Sequence, residues 1–279
     1  MRPTSDLIGL YRSFPAYLWV EDEETRTYLE AVWTGESLIK ILVAGGHGHI
    51  HAVVNAARND WNAHVFGFRD RDFGESNQDR WTDPSVTVMT ASVVEIENYL
   101  LLDSEPIAAC DVNTKGLSAA QVDAALHELA TPLTWWMSCR HTITKIRDDI
   151  MRNFIEHPSR EKVRSQKDAE DAILASAWWK EVLPAFQPKW PGQAAITASL
   201  VKHQADYQAM LQSGDWRREF SGKEILRDLT ARIWTERRPP DPEGRLGLIQ
   251  AIGKEQLKRR QVPREIEQLR LAIRRRIGR

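Results

Sequence analysis

The chain has 279 residues, 42% of them hydrophobic, and its 38 Lys and Arg nearly balance 39 Asp and Glu, for a net charge of -1. Such a length holds one large domain or two small ones, each with a real core. No stretch reaches the roughly 20 uninterrupted apolar residues of a membrane span, and Met1-Arg2-Pro3-Thr4-Ser5-Asp6 lacks the apolar run of a signal peptide, so a cytoplasmic protein without membrane association is expected.

Ala16-Tyr17-Leu18-Trp19-Val20-Glu21 reads as a strand that ends on an acid, and residues 23–33 suit a helix with Tyr28, Leu29 and Val32 on its apolar side. Leu38 to Ala44 is a second strand. It runs into Gly45-Gly46-His47-Gly48, after which His49 to Arg58 carries helical spacing through Ile50, Val53, Val54 and Ala57. A third strand, Ala63 to Phe68, delivers Asp70-Arg71-Asp72, and a fourth, Val86 to Met89, precedes Glu95-Ile96-Glu97-Asn98-Tyr99-Leu100. The alternation of strand and helix predicts an α/β fold, a parallel sheet flanked by helices.

After residue 105 the strand signals fade. Helical patterns run over residues 118–129, 133–155 and 168–182, with turn-rich breaks at His157-Pro158-Ser159 and from Gln187 to Gly192. Further helices are predicted over 222–234 and 243–259, and a strongly basic one after Pro263. The expected organisation is a core over 1–105, completed by 216–235, a helical insertion over 106–215 and a basic helical tail over 236–279. Residues 217–279 carry 18 Lys and Arg against 9 Asp and Glu, a net +9, whereas residues 1–216 carry 20 against 30, a net -10. A basic end can gather phosphates through counterion release. It can equally be a solvated helix face or a surface for an acidic partner, and charge alone does not choose.

Four acids, Glu21, Asp70, Asp72 and Glu97, each follow a strand-like segment and can meet at one end of a parallel sheet, where such folds place ligands. Asp70 and Asp72, two apart on extended backbone, share a side. Magnesium and manganese prefer hard oxygen ligands, and a pair of ions can clamp the attacking and leaving oxygens of a phosphodiester. The ordinary alternative for one Asp-x-Asp is a solvated loop.

Taken in order, Leu18-Trp19-Val20-Glu21, Gly45-Gly46-His47-Gly48, Asp70-Arg71-Asp72 and Ile96-Glu97-Asn98-Tyr99-Leu100-Leu101 resemble the Toprim fold of OLD-type nucleases, over roughly residues 16–104. The resemblance is closest to small stand-alone Toprim proteins such as effectors of the PARIS anti-phage system, which work with an ABC-type ATPase. Phe220-Ser221-Gly222-Lys223-Glu224-Ile225-Leu226 looks like the Gly-Lys element that supplies an active-site lysine in these nucleases; its alternative is a capped helix start with a solvated lysine. The resemblance implies a Toprim-like core and a metal-dependent nuclease acting on DNA or RNA, with tRNA as one option. Its metal ligands for Mg2+ or Mn2+ are Glu21, Asp70, Asp72 and Glu97, with Glu97 or Glu21 orienting or deprotonating the water and Lys223 stabilising developing charge. The implied setting is defence under ATPase control, with a homodimer as a further option.

One departure matters. Family members commonly carry a second acid four residues after the first glutamate, where this chain has Thr25. Glu24 is adjacent, but one helical residue turns a side chain by about 100°, so one metal site can be weakened. Glu95 is a further outer ligand or a surface acid. Thr25 also motivates the alternative of a non-catalytic Toprim-like regulatory or binding subunit.

Other features carry less. His47, His49 and His51 suit zinc in type, yet the barrel hydrolases that hold metal on such a pair need repeated strand-helix units absent here; His47 stays a substrate-contact candidate, while His49 and His51 are expected at a helix start. The glycine turn is neither a P-loop nor a dinucleotide fingerprint. The acid pair also resembles that of haloacid-dehalogenase phosphatases, but it follows the third strand and runs into Phe73-Gly74. Trp135-Trp136 and Trp178-Trp179 can stack on unpaired bases or sit in a core or protein contact. Cys110 and Cys139 belong to no Cys-x-x-Cys spacing and are expected to be buried thiols.

Overall fold

The computed structural model describes residues 11–60, 64–71, 83, 85–150, 157–176, 179, 192–235 and 243–279. Among these, four strands form one parallel sheet: β1 (Ala16–Val20), β2 (Ile39–Val43), β3 (Val65–Arg69) and β4 (Val88–Thr90), in the order β2-β1-β3-β4. The strands are legible as apolar runs because a parallel sheet is covered on both faces. Helix α1 (Glu23–Val32) connects β1 to β2, and α2 (His47–Asp60) carries the chain back across β1 to β3. Reversing the direction of travel with right-handed crossovers puts the two helices on opposite faces.

The packing agrees. Leu18 and Val20 of β1, Ile41 of β2 and Phe66 and Phe68 of β3 pack with Tyr28, Leu29 and Val32 of α1, whereas Tyr17 and Val65 pack with Ile50, Val54 and Ala57 of α2. At Gly67 the second helix comes so close that an added Cβ would lie 2.4 Å from Ile50 Cγ2, so only glycine fits.

Beyond the sheet come α3 (Asn98–Leu101), α4 (Ser104–Ala109), α5 (Ala119–Ala130), α6 (Thr134–Ile150), α7 (Gln166–Leu174), α8 (Gln193–Ser213), α9 (Trp216–Glu219), α10 (Gly222–Ile233), α11 (Glu243–Arg259) and α12 (Arg264–Arg276). Helices α6, α7 and α8 pack on one another. They share one buried cluster with the sheet and with α11 and α12. Cys110 and Cys139 are buried thiols in that cluster. Trp136 is buried and donates its indole N–H to the Pro158 carbonyl (2.8 Å), whereas Trp178 lies outside the described residues.

The basic C-terminal helices are bound into this core. Helix α11 packs on α1, with Gly253 against Ala31 and Tyr28. The Tyr28 hydroxyl donates to Gln256 Oε1 (2.9 Å), and Gln256 Nε2 donates to the Tyr99 carbonyl (2.9 Å). Several cations are spent on internal partners: Arg245 on Glu24, Arg274 on Glu36 (3.0 Å) and Arg276 on the Asp83 carbonyl (2.7 Å). Among the described residues no helix is long and apolar enough to cross a membrane.

Candidate active site at the carboxyl edge of the sheet

The strand order reverses direction between β1 and β3, and a ligand crevice forms outside the carboxyl ends of strands at such a switch point. Val20 pairs with Phe68, so Glu21 and Asp70 leave these neighbouring strands side by side. The Asp70 backbone N–H donates to Glu21 Oε1 at 3.2 Å. On the other flank of β1, the backbone N–H of Gly45 donates to the Glu21 carbonyl at 3.1 Å. Gly45 and Gly46 have φ of 78° and 141°, left-handed values that glycine adopts without strain, and they turn the chain into α2. The His47 side chain lies outside those described; His49 and His51 sit exposed in the first turns of α2.

Asp22 is the residue sequence reasoning missed at this edge. It caps α1: Oδ1 accepts from the Thr25 backbone N–H (2.9 Å) and hydroxyl (2.8 Å), and Oδ2 faces Lys223 Nζ at 3.7 Å. Thr25 is buried and used in the cap through both its backbone N–H and its hydroxyl. Glu24 points elsewhere, into an ion pair with Arg245 of α11. The Asp-x-x-Thr spacing at a helix start was the available signal.

The second half of the site comes from two distant segments locked together. Asn98, fully buried, donates through Nδ2 to the carbonyls of Arg217 and Phe220, both at 2.9 Å, and accepts from the Glu95 backbone N–H at 3.0 Å. Glu95 in turn accepts from the Ser221 hydroxyl (2.8 Å) and the Lys223 backbone N–H (2.8 Å), at the start of α10, and lies 3.8 Å from Arg140. A carboxylate on these N-terminal groups is favoured by the helix dipole. At Gly222 an added Cβ would stand 2.7 Å from the Asn98 backbone nitrogen, so glycine is what lets the two segments touch. Helix α12 supports the same turn, since Glu265 accepts from the Ser92 backbone N–H at 2.9 Å.

This docking delivers Lys223 Nζ to 3.9 Å from Glu97 Oε1. Glu97 is 1% exposed, and that oxygen has no hydrogen-bond partner. Burial and then Glu95 push the Glu97 carboxyl up to about 8, against the pull of Lys223. Burial, then Glu97, Glu21, Asp22 and Glu95 hold Asp70 well above the usual carboxylate range. Burial works against the Lys223 ammonium, but Glu97, Asp22, Glu95 and Glu24 outweigh it and raise its pKa.

Glu21 and Glu97 are thus neighbours of Asp70, Glu97 and Asp22 face Lys223, Glu95 serves the helix start, and Asp72 lies outside the described residues. The donors are those of a hard divalent ion, with a buried oxygen that has no hydrogen-bond partner and carboxyls that resist ionisation beside one another. Among the described residues, however, no three His, Cys, Asp or Glu groups close around one point as a metal site. No known protein-family model, curated protein or solved structure matches the chain.

Proposed function

We propose that this chain is a metal-dependent phosphodiesterase with a Toprim-like core, cleaving nucleic acid at the carboxyl edge of its sheet. The four-stranded parallel order is compatible with such a core. The observation that carries the reading is the buried Glu97 Oε1, without a hydrogen-bond partner, beside Asp70 and Lys223. In this reading Glu21, Asp70, Asp72 and Glu97 hold Mg2+ or Mn2+, which when bound lowers the pKa of water and offsets phosphate charge. Glu97 or Glu21, ionised once the cation is held, orients the attacking water and takes its proton as a general base. Oxygen adds to phosphorus, the bond to the leaving oxygen breaks, and Lys223 stabilises the charge that develops on the phosphoryl oxygens. The resemblance supports a defence setting in which an ABC-type ATPase restrains the nuclease.

The test is cleavage of DNA and total RNA in Mn2+. The Asp70→Ala, Asp72→Ala double variant is expected to lose turnover, and Lys223→Ala to fall by about 100-fold or more with its fold intact. Retained turnover in the double variant contradicts the assignment. One observation favours a second reading, a non-catalytic Toprim-like binding or regulatory subunit: no complete three-group metal site among the described residues, with Thr25 consumed in a cap. That reading predicts no cleavage in any metal.

A further inference from the structure

Beside the acidic edge lies a cavity of about 380 Å3, lined in part by Arg71, Val94, His141 and Tyr207. Its inner wall continues the site directly: Arg71 follows Asp70, Val94 precedes Glu95, and Glu219 stands two residues before Ser221. Its outer wall comes from the insertion, His141 on α6 and residues 206–213 of α8.

The chemistry of the walls selects against phosphate. Asp206, Asp215 and Glu219 line the cavity, each with one partner already (Lys202 at 2.7 Å, the Ser213 hydroxyl at 2.7 Å and Arg71 at 2.6 Å), and among the described residues Arg71 is the one Lys or Arg in the lining. Arg71 is nine-tenths buried, and its Nε–H has no hydrogen-bond partner. His141 and Tyr207 share a hydrogen bond of 3.3 Å, and burial lowers the His141 pKa, which keeps the ring neutral. A guest that suits these walls offers an acceptor to Arg71, donors to the remaining lone pairs of the carboxylates, and an apolar face to Val94 and Met210. A nucleobase has all three, with amino groups and ring acceptors on one planar body. The volume admits a single base and no duplex, so the base must be out of its stack.

We propose that this cavity is a subsite for one unpaired nucleobase flanking the scissile phosphate, so that the chain acts on single-stranded or looped nucleic acid. The inference rests on the nuclease reading and gives the helical insertion its role, the outer half of a base pocket.

The experiment compares wild type with Ala209→Trp, which places an indole from an exposed helical position into the cavity, and with the isosteric Asp206→Asn. Each is assayed in Mn2+ on a single-stranded oligonucleotide, on the same sequence as a duplex, and on bis(p-nitrophenyl) phosphate, which has no base. The wild type is expected to prefer the single strand. Both variants are expected to lose about tenfold in kcat/KM on it, with hydrolysis of the small diester unchanged. Equal cleavage of duplex, or variants undiminished on the single strand while the small diester is still hydrolysed, overturns the subsite and leaves the nuclease reading standing. No hydrolysis of any phosphodiester by wild type overturns both.

Discussion

Glu97 concentrates the physics of the site in one side chain. It is buried beside Glu95 and Asp22, and Lys223 opposes their field. Its carboxyl holds a proton up to about 8 when folded, against 4.5 as its ordinary value. The folded state thus binds the proton more tightly than the unfolded state, and the stability it contributes is present below the ordinary value and is lost as pH rises through the folded one. Glu97→Gln removes that titration. In the absence of divalent ions the variant is expected to melt at a higher temperature than wild type at pH above 8, with the difference vanishing near pH 4; scanning calorimetry across pH measures it. A variant that melts below wild type at high pH contradicts the account. Glu97 and Lys223 were legible because each follows a recognisable local pattern. Asn98 and Ser221 were not, because their roles exist only once residue 98 meets residues 217–221, across more than a hundred residues of chain; Asp22 carried a local cap signal, but its pairing with Lys223 depends on the same long-range meeting.

At the scale of elements, the decisive contact is α10 against the turn that precedes α3. Asn98, Glu95 and Ser221 form its hydrogen bonds, and Gly222 supplies the close approach. Gly222→Ala forces a methyl group against the Asn98 backbone, and overpacking of this kind costs about 1–3 kcal/mol. Urea unfolding is expected to show that loss, together with reduced cleavage, because the same shift carries Lys223 away from Glu97. Unchanged stability in this variant would mean that the segments do not meet. The strands were readable from sequence because both their faces are covered. Helix α8 was not predicted: its buried Ile196, Leu200, His203 and Tyr207 are interleaved with small and polar residues, and Val201 is exposed, which blurs a helical stripe. Helix α1 was expected one residue longer, and the pattern over 168–182 begins two residues earlier, at Gln166.

Across the whole molecule, sheet, insertion and C-terminal helices share one buried cluster. The charge asymmetry suggested a basic helical tail, and composition does not reveal which of its cations are neutralised by distant partners such as Glu24 and Glu36. The consequence is functional: α11 and α12 hold α1 and the Ser92 turn, the two supports of the acidic edge. The proposal stands on that edge as a cation site. Titration calorimetry with Mn2+ at about pH 7.5, in two buffers of different ionisation heat, tests it most directly, because carboxyls that hold protons must release them when a metal binds. Wild type is expected to bind at submillimolar concentration with proton release, and an Asp70→Asn, Glu97→Gln variant to bind nothing. Absence of binding by wild type at millimolar Mn2+, even with nucleic acid present, or equal binding by the variant, would contradict the account.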